Sequence, residues 1–133
     1  MADLLLLTLL FYFIQLPLPI IVGRINGVPG SYYTSSRDDI IKLPVLSSRL
    51  IRAHNNFKES LFIFIPLSLL SIITNIDVVT AATLWLAARI TYVFLYSIGA
   101  NKMRTFFWVV SIICLIDMGI LSLIHISEPT RPY

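Results

Sequence analysis

Eight side chains of this sequence could do chemistry together: Arg52, His54, Asn56, Glu59, Arg89, Tyr92, Tyr96 and Arg104. Arg52, Asn56 and Glu59 stand at i, i+4 and i+7, so on a helix turning 100° per residue they fall within about 60° of one another. Arg89, Tyr92 and Tyr96 stand at i, i+3 and i+7 and also share a face, which Trp85 extends by one turn. The set supplies several donors, one acceptor and three aromatic groups. Guanidinium forks match carboxylates bidentately, tyrosine hydroxyls can donate at an apolar boundary, and the Glu59 carboxylate could receive an ammonium. A lone Arg/Glu pair would do no more than fix helix register. This surplus of positive donors calls instead for an anionic ligand.

The elements that must position these groups are greasy. The chain has 133 residues, 57% of them hydrophobic and 13% charged, with mean hydropathy +0.85 and a net charge of +3. A soluble domain averages about 45–50% apolar and about 25% charged, whereas four membrane spans of about 20 residues would use most of the apolar residues. Disorder, collagen and a disulfide scaffold are excluded, and the single cysteine, Cys114, has no intrachain partner. The length is that of one domain.

Gaps between charges place the spans. Leu4 to Val22 is free of charge, the residues between Glu59 and Lys102 include only Asp77 and Arg89 as charges, and Thr105 to Ile126 holds only Asp117. The middle stretch is too long for one crossing at 1.5 Å per residue. The expected spans are therefore residues 4–22, 57–76, 78–98 and 105–126, in an all-α four-helix membrane bundle. A cleaved leader fits the first stretch poorly, since no basic residue precedes it and its apolar run is too long. Arg24, Arg37, Lys42, Arg49, Arg52 and Lys58 lie in or beside the first connection, and Lys102 and Arg104 lie at the third. The second connection has no basic residue, which makes loops one and three cytoplasmic and leaves the termini outside.

The first connection, residues 23–46, reads as loop up to Leu43 from its Gly, Pro and Ser/Thr/Asp content. The second helix is expected to begin near Ser47 or Ser48 as N-cap and to kink at Pro66. Arg89, near mid-span, would cost about 2.5–3.5 kcal/mol even on lenient insertion scales. It must face the bundle interior and find a carboxylate, with Glu59 and Asp117 as the candidates.

The stretch Arg52-Ala53-His54-Asn55-Asn56-Phe57-Lys58-Glu59 resembles the R-A-x-x-N-x-x-E signature of the MAPEG family, membrane-associated proteins in eicosanoid and glutathione metabolism. Arg89 with Tyr92 and Tyr96 is similar to the family's third-helix pattern, and Arg104-Thr105-Phe106-Phe107-Trp108 looks like the start of its fourth helix. Arg37-Asp38-Asp39, Pro66 and the short length resemble the prokaryotic-type branch, which would place the protein in the cell membrane. The resemblance covers about Leu4 to Leu123.

It implies a homotrimer that binds glutathione as cosubstrate between subunits near the cytoplasmic face. Arg52, Asn56 and Glu59 would hold the tripeptide's polar ends. Arg89, Tyr92 and Tyr96 would line the pocket, with His54 where some members set a ring against the ligand. Arg104 matches the fourth-helix arginine that resembles the thiolate stabiliser, a role for which Arg24 competes. A thiol of pKa near 8.5 is only about 3% ionised at pH 7, and lowering it two units gives roughly three-quarters thiolate for about 2.7 kcal/mol. One arginine in a partly dry site can supply that. The sulfur would then meet a lipophilic substrate, an electrophile or peroxide, arriving through the bilayer. The activity implied is that of a glutathione transferase or peroxidase.

Two rival readings keep the bundle. One is a non-catalytic protein of the same fold. The other is a small transporter with a membrane carboxylate, which lacks its acidic residue in the first span. Cys114 and the alanines Ala81, Ala82, Ala87 and Ala88 read as packing, and His125 as interfacial. No cysteine or histidine pattern suggests a metal. Asp117 is expected to pair with Arg89 or with Gln15. The glycines fit no nucleotide-binding motif, and membrane orientation accounts for the positive charge without nucleic acid. The tail, residues 127–133, continues no family pattern.

Overall fold

Two prolines decide where the first helix ends. In the computed structural model, which describes residues 1–35 and 42–127, the first apolar stretch is two helices, α1 (Ala2–Gln15) and α2 (Leu18–Ile25). Pro17 has no N–H to give the Phe13 carbonyl and its ring crowds that position. The Leu16 N–H takes the carbonyl instead, at 3.3 Å. The expected first span, residues 4–22, lies within Ala2–Ile25, which taken together is long and apolar enough to cross a membrane, and the helix break falls inside it.

A short helix, α3 (Gly30–Thr34), interrupts the connection that was expected to be loop. Arg37, Asp38 and Asp39 lie outside the described residues, as does the tail from residue 128. Tyr33 folds back over α2, its hydroxyl occupying the space where a Cβ on Gly23 would fall. The second span is α4 (Val45–Thr74), which continues through Pro66. Its N-cap is Pro44 rather than a serine. Ser47 is drawn away from capping because its buried hydroxyl donates to the Pro19 carbonyl at 2.8 Å, pinning α2 against α4.

The second and third spans are joined by a turn at Asn75 to Val78. Asn75 takes the left-handed conformation at φ 55°, and Asp77 Oδ1 accepts from the Val79 N–H at 3.1 Å, opening α5 (Val79–Ile98). Gly99, at φ 81°, ends α5, and α6 (Asn101–Ser127) follows at once. So short a link makes α5 and α6 antiparallel neighbours, and theirs is the most extensive helix pairing in the bundle. Arg49 of α4 closes the same end. Its guanidinium lies over Gly99 and donates to the Ser97 carbonyl at 3.3 Å, where the last carbonyls of α5 favour a cation.

The core sits between α4, α5 and α6. Phe57, Leu61 and Phe64 meet Ala82, Trp85 and Leu86, with Leu115 and Met118 behind them. Trp85 stacks on Phe64 at 3.9 Å between ring centroids and 7° between planes, and its indole N–H donates to the Ser60 hydroxyl at 3.1 Å. Ala81, Ala82 and Ala88 are buried, as small residues at a close helix crossing should be. Among the described residues four helical segments, Ala2–Ile25 and those of α4, α5 and α6, are long and apolar enough to span a membrane, and large side chains such as Phe62, Ile73 and Phe94 point outward. The protein is an all-α, multi-pass membrane bundle.

Candidate functional site

Three helices bring their polar residues to one cleft. Arg52 and Asn56 come from α4, Tyr92 and Tyr96 from α5, and Arg104, Thr105 and Trp108 from α6, around a volume of about 310 Å³. That is within the range of small-ligand sites, about 300–1,000 Å³. The close pairing of α5 with α6 sets Arg104 opposite Tyr96, and the i, i+4 spacing on each of α4 and α5 keeps both contributors on one face.

Tyr96 is the centre of the cleft. Arg52 Nε donates to its hydroxyl at 3.1 Å, while the Arg104 guanidinium lies over its ring, 4.2 Å from the centroid. Tyr92 meets it edge-on at 5.8 Å. A cation held against an aromatic face is attracted by the ring's quadrupole, so Tyr96 holds two like charges near one another. Among the described residues no carboxylate lines this cleft. The positive charge is therefore unanswered inside it.

Arg89 stands one layer deeper and is wholly buried. Its Nη2 donates to Asn56 Oδ1 at 2.6 Å, and its guanidinium packs 4.5 Å from the Tyr92 centroid. The expected carboxylate partner is corrected to an amide. Glu59 is exposed on α4, 60° around the helix from Asn56, and Asp117 is exposed on α6. Nε and Nη1 of Arg89 have no hydrogen-bond partner among the described residues. A buried guanidinium with one neutral acceptor is poorly compensated, and its charge adds to the field in the cleft above it.

Of the eight residues singled out by sequence, Arg52, Asn56, Tyr92, Tyr96 and Arg104 line the cleft, and Arg89 supports it through Asn56. His54 and Glu59 do not line it. His54 is buried against Tyr12 of α1, with ring centroids 4.7 Å apart and no partner for either nitrogen among the described residues. Arg24 is engaged elsewhere, donating to the Val28 carbonyl at 3.2 Å. Asp117 pairs with neither Arg89 nor Gln15. It shares a cleft with Asp77 and Cys114, and the Gln15 amide donates weakly to the Phe11 carbonyl at 3.4 Å.

Thr105 and Trp108 were not anticipated as cleft residues. Trp108, four positions after Arg104, lies on its side of α6, and that spacing was its signal, whereas Thr105, one position after, stands about 100° around the helix and had none.

The family model described as MAPEG family matches residues 4–124 of the chain. No curated protein and no solved structure matches it.

Proposed function

The chain belongs to the MAPEG family, and on that premise we propose that it binds glutathione in the cleft around Tyr96 and joins its sulfur to a lipophilic electrophile or uses it to reduce a lipid peroxide. The observation that carries this reading is the convergence of Arg52 and Arg104 on Tyr96, with no carboxylate among the described residues that line the cleft. Glutathione brings two carboxylates, which suit guanidinium partners. It also brings an ammonium, for which the described residues lining the cleft offer no acidic partner. In this reading a second copy supplies it: the exposed Glu59 belongs to the half of the site that a homotrimer completes.

Arg104 takes the thiolate. Its guanidinium is held by ring contact rather than by an ion pair, so it remains free to stabilise a developing anion. The thiol proton leaves to water at the membrane surface. In the transferase reaction the sulfur lone pair forms a C–S bond as the leaving group departs with its electrons. In the peroxidase reaction the thiolate attacks one oxygen of the O–O bond, the other leaves as an alkoxide that takes a proton from water to become the alcohol, and the thiol of a second glutathione attacks the sulfur of the resulting sulfenic acid, whose hydroxyl leaves as water to give the disulfide. Trp108 and Thr105 would border the electrophile. Glutathione reaches the site from the side bearing loops one and three, which charge distribution makes cytoplasmic.

The test is turnover by the purified, detergent-solubilised protein with glutathione and a halogenated nitrobenzene or a lipid hydroperoxide. The proposal expects a rate above background that Arg104→Ala lowers by about a hundredfold, the order of losing one group that stabilises developing charge. Saturable glutathione binding without turnover would support the non-catalytic reading instead.

A further inference from the structure

A second cleft opens between α5 and α6, at the end of the bundle away from Tyr96, with a volume of about 290 Å³. It shares no lining residue with the Tyr96 cleft. Ile113, Asp117 and Leu121 stand at i, i+4 and i+8 and so lie along one face of α6, and Leu84 lines the cleft from α5. Cys114, only 7% exposed, brings a free thiol to the wall, a weak donor with no hydrogen-bond partner among the described residues. Asp77 stands in the turn before α5, where its Oδ1 accepts from the Val79 N–H and its second oxygen has no partner among the described residues.

The charge in this cleft is of one sign. Two carboxylates and no basic side chain line it among the described residues. Asp117 is exposed on α6, about 15 Å from the Ser127 end of the helix at 1.5 Å per residue, and a carboxylate at such depth is costly unless an opposite charge meets it. Residues 1–10, 66–85 and 114–127, which make up this end of the bundle, contain no lysine or arginine, and His125 lies about 12 Å further along α6. A second copy set alongside in the same orientation would bring no lysine or arginine to this level from those segments either. Nor do three of the described His, Cys, Asp and Glu side chains gather closely enough to hold a metal ion. The walls suit a cation with apolar surface of its own, since Leu84, Ile113 and Leu121 can cover a hydrocarbon body and a carboxylate accepts strongly from an ammonium.

We propose that this cleft binds a small organic ammonium ion of the arylalkylamine kind, whose N–H groups donate to the Asp117 carboxylate while its apolar body lies on Leu84, Ile113 and Leu121. Asp77 adds a second negative charge at the end nearer water. Charge complementarity selects the cation, and the apolar walls select an organic one. The site stands apart from the proposed glutathione reaction and does not depend on it.

Cys114 is the chain's single cysteine, so its alkylation by N-ethylmaleimide reports on the cleft in the full-length, detergent-solubilised protein. The experiment measures alkylation rate and melting temperature with 2-phenylethylammonium, 2-phenylethanol and 3-phenylpropionate, for the wild type, Asp117→Asn and Asp117→Glu. Each rate is compared with that of the same protein without ligand, so that any change in thiol reactivity from the substitution cancels. The ammonium ion is expected to slow alkylation saturably and to raise the Tm of the wild type and Asp117→Glu, while the alcohol and the carboxylate do neither. In Asp117→Asn the concentration giving half the effect should rise about tenfold, the size of one charge-assisted contact. An equal effect of the alcohol, the same response in wild type and Asp117→Asn, or neither protection nor a Tm shift in the wild type would overturn the proposal. So would disulfide crosslinking of Leu121→Cys, in a Cys114→Ala background, to a second copy that the ammonium ion does not reduce, since the cleft would then be covered by another chain.

Discussion

Arg89 Nη2 donates to Asn56 Oδ1 at 2.6 Å, and this amide is the only hydrogen-bonding side chain that the wholly buried guanidinium meets among the described residues. The contact joins α4 to α5 beneath the cleft. It makes Asn56 a residue of the bundle's stability as much as of its site.

Asn56→Ala should therefore be costly. Removing the acceptor of a buried, charged donor costs about 1.5–3 kcal/mol, and thermal unfolding of the detergent-solubilised variant should show it as a lowered Tm. Asn56→Asp keeps the acceptor and adds an opposite charge, and should retain the wild-type Tm. Equal melting of wild type and Asn56→Ala would mean that Arg89 is satisfied by another group.

Trp85 separates packing from hydrogen bonding in the core. Its stack on Phe64 and its bond to Ser60 are removed together in Trp85→Ala, for a loss of about 3–5 kcal/mol. Ser60→Ala removes only the bond, worth about 0.6 kcal/mol between membrane helices. Unfolding in a graded denaturing detergent should rank the variants in that order, because buried aromatic area outweighs one hydrogen bond.

Much of this arrangement was legible in the sequence. Charge gaps located four crossings, because a charge inside the bilayer is costly enough to be rare, and the i, i+4 spacing put Arg52 with Asn56 and Tyr92 with Tyr96. What local pattern could not give was the partner of Arg89. Glu59 looked suitable as the nearest carboxylate in the second span, yet 60° of helix rotation turns it outward while Asn56 points at Arg89. The break at Pro17 was signalled by the residue itself, inside a run that is free of charge from Leu4 to Val22. Ser47 resembled a cap, and tertiary packing against Pro19 claimed its hydroxyl. His54 is a matter of face: two residues from Asn56 is 200° around a helix, which aims it at Tyr12.

His54 offers a negative control for the site. It packs on Tyr12 and lies outside the cleft, so His54→Phe, which keeps the ring and gives up nitrogens that have no partner, should leave glutathione affinity within about twofold of wild type. A larger loss in equilibrium binding would show that His54 reaches the ligand in the assembled protein.

Glu59→Gln tests the completed assembly. Glu59 is exposed and outside the cleft of its own chain, so if a neighbouring copy contributes it, the substitution should weaken glutathione binding about tenfold, the size of one charge-assisted contact. Crosslinking of the variant should match that of the wild type, with a trimer the expected product in the proposed assembly. Unchanged affinity would place the ammonium partner elsewhere.

The central claim is that guanidinium groups gathered on Tyr96 hold an anionic tripeptide. Calorimetric titration of glutathione into the purified protein and into Arg52→Gln tests it most directly. The account predicts saturable binding to the wild type, weakened at least tenfold in the variant. No saturable heat with the wild type, or the same affinity in both proteins, would contradict it.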